Sequence, residues 1–250
     1  MTSIESGRQF LKADLWEDWD NLDKDQEKGL PPPPLQKPYP HDAPLFDLVP
    51  PGKLTVGDMP LIEAIKRRRS QRTYTGEPLT VEELSFLLWA TQGVARQFRG
   101  GQTLLRTVPS AGARHPFESY LLVNHVESLR TGLYRYLSLD HKLCLLSTNE
   151  NLVERVHQAN YEQYVLDSAV VFIWTALPYR MEWRYSTLSH KMIAQDAGHL
   201  CQNLYLACEA LHIGTCAIGA YNQKMMDAVL SVDGDDEFTI YLATVGRVLD

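Results

Sequence analysis

Most of the short signatures that assign a function quickly are missing from this sequence. Its four cysteines, Cys144, Cys201, Cys208 and Cys216, include no Cys-x-x-Cys pair. A chain of 250 residues also needs no disulfide staples to complete a core, so reduced thiols and a cytoplasmic location are expected. No stretch approaches the roughly 20 apolar residues of a membrane span, and Met1 to Asp20 lacks the apolar segment of a secretory signal. No membrane partner is expected. Excess positive charge is absent as well: 24 Lys and Arg against 31 Asp and Glu give a net charge of -7. Affinity for a nucleic-acid backbone rests on clustered basic residues, and Lys66 to Arg69 is too short a cluster for that. There is no Gly-x-Gly-x-x-Gly, no P-loop and no Gly-x-Ser-x-Gly, so a Rossmann crevice, a nucleotide-triphosphate cradle and an esterase elbow all drop out.

What the chain does have is 44% hydrophobic residues, enough for a sizeable core. Its prolines are unevenly spread: nine of fourteen fall between Pro31 and Pro51, just after an acidic run containing Trp16 and Trp19. Proline favours extended backbone, and the apolar anchors Trp16, Trp19, Leu45, Phe46 and Leu48 point to an ordered arm laid over a domain. The division expected is an arm over residues 1–58 and one domain over residues 59–250.

Leu61, Ile62 and Ile65 suggest a short helix. Thr80-Val81-Glu82-Glu83 is a capping box, which predicts a helix from Val81 to Gln92 closed by a left-handed Gly93. Strand patterns appear at 119–123, 133–136, 143–146, 169–176 and 238–248, and helical patterns at 152–164, 191–211 and 223–230. The first three strands, joined by short connections, read as a meander, and the later ones are separated by long helices. The class predicted is α+β with a mixed, mostly antiparallel sheet. Pro178 to His190 is expected to be a loop over the site.

Cys208, His212 and Cys216 recur every four residues, a spacing that would align three metal ligands on one continuous helix. Gly214 should stop the helix first, however, and Cys201 and Cys208 fall on the apolar stripe, where free cysteine behaves as a small hydrophobe. No metal site is expected. Gly198 inside the same helix suggests close approach by a neighbouring helix or ligand.

The basic segment Arg68-Arg69-Ser70-Gln71-Arg72 has two readings. In an extended chain Arg68, Ser70 and Arg72 share one side, and two guanidinium forks with a hydroxyl suit a phosphate. As a solvated helix end, the same arginines would complement the helix dipole. Composition leaves both open.

Arg-Arg-Ser-x-Arg ahead of Thr80 to Leu84 resembles the entry motif of nitroreductase-like flavoproteins. The stretches 88–94, Pro109-Ser110-Ala111-Gly112-Ala113-Arg114-His115-Pro116, Gly132-Leu133-Tyr134, Asp196-Ala197-Gly198-His199, Ile218-Gly219-Ala220 and Val245-Gly246-Arg247 are similar, in order, to the azoline-oxidising branch of thiazoline and oxazoline dehydrogenases. The resemblance covers roughly residues 30 to 250. It implies a three-layer α/β/α core, an intertwined homodimer with FMN at the subunit interface, and hydride transfer between the flavin and a small electrophile or heterocycle. It implies further that Arg68, Arg69, Ser70 and Arg72 hold the phosphate and ribityl chain, joined by Arg247. Pro109, Ser110, Ala111 and Gly112 would line the ring, and Gly219 would let backbone approach it. NADH or NADPH remains open as the electron donor.

Two positions depart from the pattern. Ala113 stands where simple nitroreductases carry an Asn, which leaves a flavin contact to Arg114 or His115. Arg184-Tyr185 stands where the azoline branch carries Lys-Tyr, and arginine is a poor base, so proton transfer would fall to Tyr185. Dehydrogenation of a peptide-borne heterocycle and a non-catalytic dimeric binding role are the alternative functions.

Overall fold

Alternation of apolar side chains builds the centre of the molecule. The computed structural model describes residues 2–98 and 103–249. Among these, the strands are β1 (Leu45–Asp47), β2 (Val94–Phe98), β3 (Thr103–Arg106), β4 (Phe117–Val123), β5 (Gly132–Leu137), β6 (Lys142–Ser147), β7 (Val170–Ala176), β8 (Gly214–Ile218) and β9 (Phe238–Gly246). The helices are α1 (Ser3–Leu11), α2 (Leu61–Arg67), α3 (Val81–Gln92), α4 (Leu152–Ala159), α5 (Tyr179–Tyr185), α6 (Ser189–Ala210) and α7 (Gln223–Leu230).

Seven strands form one sheet in the order β1-β6-β5-β4-β7-β9-β8, while β2 and β3 make a separate hairpin. Every residue of β4 and β7 is buried, so both faces of the sheet are covered. Leu121, Val123, Phe172 and Trp174 pack on one face with residues of α3 and α6. Their alternating neighbours Tyr120, Leu122, Val171 and Ile173 pack on the other with α4 and α7. The result is the expected three-layer α+β arrangement, with the long helix α6 as the spine of one outer layer.

The meander β4-β5-β6 is present, and the antiparallel bias extends to all six pairings of the large sheet. The one parallel pairing among the described residues is the isolated bridge between Leu79 and Val126.

Several expectations are corrected. Residues 178–190 are not a loop: they form α5 and a 3-10 turn at Ser186–Leu188, because Met181, Trp183 and Tyr185 find a core to bury against. Helix α4 ends at Ala159 rather than near Tyr164, since Tyr161, Glu162 and Tyr164 all take left-handed φ. Gly93 caps α3 in extended conformation, φ -61° and ψ 145°; glycine is needed there because a β-carbon would lie 2.3 Å from Trp89 Cδ1. Strand β8, short and bounded by Gly214, went unpredicted.

The N-terminal arm lies against the molecule through its carbonyls, the only backbone hydrogen-bonding groups that proline retains. Arg106 donates to the Leu35 carbonyl, Arg135 to those of Lys37 and Pro38, and Trp183 Nε1 to that of Leu30. Lys37 pairs with buried Glu237, and β1 extends the sheet beside β6.

Candidate functional site

The basic segment leaves α2 at Arg68, with φ -43° and ψ 120°, and runs beside the edge strand β8, with the Gln71 amide donating to the Thr215 carbonyl at 2.9 Å. Tyr74 fastens it from below, its hydroxyl reaching the Gln71 carbonyl and Thr244. Ser70 Oγ lies 2.8 Å from the Tyr205 hydroxyl of α6, and the Arg68 guanidinium sits over the Tyr205 ring, 5.4 Å from its centroid. Arg72 is exposed beside Cys216. Arg69 behaves differently. Its Nη1 turns back to the carbonyls of Lys66, Arg67 and Arg68 at the C-terminus of α2, so the helix-end reading describes Arg69 while Arg68 and Ser70 converge on Tyr205.

Arg247 also stands apart: its Nη2 donates at 2.9 Å to Glu83 of the α3 capping box. Gly219, just beyond β8, is exposed, and a β-carbon there would meet nothing within 4 Å.

The Pro109 to Gly112 turn is held from α6 by Asp196, which accepts from the Ala111 amide at 3.3 Å. Burial raises the Asp196 pKa, opposed by its bonds to Ser110 and Ala111. Gly112 has φ 58°, and a β-carbon on it would come within 2.5 Å of Tyr185 Oη and 3.2 Å of Arg184. The turn and the Arg184-Tyr185 pair are thus one packed unit. Trp16 and Trp19 stack on each other and meet the Tyr185 ring at 6.4 and 5.9 Å, which brings the arm to the site. A cleft of about 630 Å³ opens between Phe10 and Trp16 of the arm and Ala111, Tyr185, Leu188 and Met192.

His115 does not face this cleft as a polar contact. It is 5% exposed, lies within hydrogen-bonding distance of the Leu104 carbonyl, and has its pKa pushed down to about 3 by burial and by Arg106. Arg114 is equally buried, its Nε donating to the Arg180 carbonyl.

Asp196 and Tyr205 are nine residues apart on α6, two and a half turns at 3.6 residues each, hence on opposite flanks and roughly 13 Å apart along the axis. Within one chain, therefore, the Ser70 end and the Ser110 end are not brought together. Between them α6 exposes Ala194, Gln195, Gly198, His199 and Gln202, and the space above Gly198 is open. Asp196 and Tyr205 were not singled out as site residues in the sequence. The available signal was a polar side chain at each edge of an otherwise apolar stripe.

Comparison with known proteins agrees with this architecture. The model of the nitroreductase family matches residues 65–247. A Methanocaldococcus jannaschii protein named for that family is 32% identical over 198 residues, covering 77% of this chain and 96% of its own. The trifolitoxin-processing protein TfxB of Rhizobium leguminosarum is 25% identical over 149 residues, which are 58% of this chain and 40% of its own. Among solved structures, a Ralstonia eutropha protein assigned as a nitroreductase has TM-score 0.67 and 26% identity, covering 88% of this chain and 100% of its own. A Desulfovibrio desulfuricans family member in complex with FMN shares the fold at TM-score 0.53 and 17% identity, covering 77% and 88% of the two chains. With the matched segment running from α2 to the end of β9, this chain belongs to the nitroreductase family.

Proposed function

We propose that the protein is an FMN-dependent oxidoreductase acting as a homodimer, with each flavin held between two copies. The observation that carries this reading is the placement of the two half-sites on opposite flanks of α6, with an exposed face bearing Gly198 between them. A second copy docked on that face would bring one copy's Ser70 end to the other's Ser110 end. Gly198 would let the helices approach closely, as small residues do.

The donor set fits a phosphate monoester: Arg68 and Arg72 supply charge and forked donors, and Ser70 a hydroxyl oriented by Tyr205. Arg247 joins them only by leaving Glu83, and Arg69 remains committed to the helix end. Pro109, Ser110, Ala111 and Gly112 would face the ring, with Gly219 leaving room for backbone contact. FMN, when bound, would supply hydride transfer between the flavin and a small electrophile or heterocycle, with NADH or NADPH as the donor where an electrophile is reduced. Tyr185 would hold or move a proton at its hydroxyl, which lies over the Gly112 turn. Arg184, a guanidinium with donors and no acceptor, would contribute charge and hydrogen bonds.

The likeness to a trifolitoxin-processing protein favours a second reading, dehydrogenation of a heterocycle borne on a peptide. Reconstitution with FMN followed by anaerobic titration with NADH and NADPH tests the first reading, with sedimentation to count subunits. A protein that stays colourless after reconstitution would overturn it, and a colourless dimer is the behaviour of the non-catalytic binding role. Turnover only with a peptide-borne ring would select the second reading.

A further inference from the structure

Beside the Gly112 turn, on the side away from the arm helix α1, lies a recess of about 450 Å³ whose lining includes Gln26, Gly112, Arg114, Trp183 and Arg184. Two arginines, Arg114 and Arg184, are part of that lining. Arg114 is 7% exposed, stacks over the Trp183 ring at 4.7 Å, and has an Nη2 without a hydrogen-bond partner among the described residues. Arg184 is partly exposed and packs against the same turn.

No carboxylate lies within 4 Å of either group among the described residues. The neighbouring Arg180 is the arginine that takes Glu118. Burial pushes the Arg114 pKa down, and the charges of Arg184 and Arg180 push it further. A buried cation without a counter-charge is costly, and an anion accepting from the guanidinium groups offsets that cost.

We propose that the Arg114–Arg184 recess is a subsite for a carboxylate or phosphate group on the molecule that reacts beside the Pro-Ser-Ala-Gly turn. The subsite makes the preferred ligand an anionic compound rather than a neutral one. Its link to a reaction rests on the flavin reading above, but its binding chemistry does not.

The test is calorimetric titration of flavin-free protein with 4-nitrobenzoate and its neutral isostere 4-nitrobenzamide. Wild type is expected to bind the benzoate at least tenfold more tightly, with the preference lost in Arg114→Met and in Arg184→Gln. Arg184 is not a core residue, so Arg184→Gln keeps the test decisive if Arg114→Met fails to fold. Competition separates the sources. Displacement of the benzoate by NADPH or NADH at lower concentration than by inorganic phosphate supports a nucleotide phosphate as the occupant. Resistance to both nucleotides supports a substrate carboxylate. Equal binding of the two nitro compounds by wild type, or a preference that survives both substitutions, overturns the proposal. Because no flavin is present, failure of FMN to bind would leave this outcome readable.

Discussion

Ser70 Oγ lies 2.8 Å from the hydroxyl of Tyr205, and the same hydroxyl accepts the Ala217 amide at 2.9 Å, so one side chain of α6 aligns both the basic segment and the edge strand. Tyr205→Phe removes both contacts. A loss of about 1 kcal/mol in urea unfolding is expected, together with an FMN Kd raised several-fold in fluorescence titration. An unchanged Kd would detach Ser70 from the proposed phosphate grip.

Arg72 is exposed, so its replacement should leave thermal stability within about 0.5 kcal/mol of wild type. A charge-assisted hydrogen bond is worth about 1.5–3 kcal/mol. Arg72→Ala is therefore expected to weaken FMN binding roughly ten- to hundredfold while the Tm stays put.

Glu83 is both the N3 residue of the α3 capping box and the partner of Arg247. Glu83→Gln keeps the box geometry but releases the arginine's counter-charge. Stability should fall by about 1 kcal/mol or less, and FMN affinity should rise if Arg247 then turns to the phosphate. Affinity that is unchanged in Glu83→Gln and in Arg247→Ala would remove Arg247 from the site.

At Gly112 two constraints coincide, a left-handed φ and the Tyr185 hydroxyl 2.5 Å from any added β-carbon. Gly112→Ala is expected to cost about 1–3 kcal/mol. Part of that loss should return in the double variant with Tyr185→Phe, which removes the clashing oxygen; additive losses would show that the turn and Tyr185 do not touch in solution.

His115 is held neutral in the folded chain, its pKa lowered from 6.5 to about 3. Its contribution is fully present above pH 6.5 and is lost as pH falls toward 3, because the unfolded chain takes up the proton first. The full difference is on the order of 4–5 kcal/mol. Thermal unfolding between pH 7 and pH 4 should show a steep fall in wild type and a shallower one in His115→Gln.

Elements whose local chemistry agrees with their tertiary role were readable in the sequence: Val81 to Gln92 behind its capping box, the meander strands, and α7 with both ends as expected. Those that depend on what covers them were not. Helix α5 has no capping side chain and is held by burial of Met181, Trp183 and Tyr185. Gly93 resembles a left-handed stop but serves to clear the Trp89 ring. At the site, the basic segment and the Gly112 turn were visible as motifs. Their attachment to Tyr205 and Asp196, and the half-turn offset between them, follow from the phase of a long helix, to which a motif is blind. The same holds for Arg247, whose partner is a capping glutamate distant in sequence; Arg69, by contrast, takes the helix-end role open to an arginine directly after α2.

The fastening of the arm has a consequence for the order in which the protein is assembled. Synthesis proceeds from the N-terminus, yet Lys37 meets Glu237 across 200 residues of chain, and Arg106 and Arg135 are made well after the carbonyls they bind. During translation the proline-rich segment must wait, without its final partners, until the last strand is available. Its poverty in N–H donors suits that wait, because an extended stretch with few donors offers little to a neighbouring nascent chain seeking an edge to pair with.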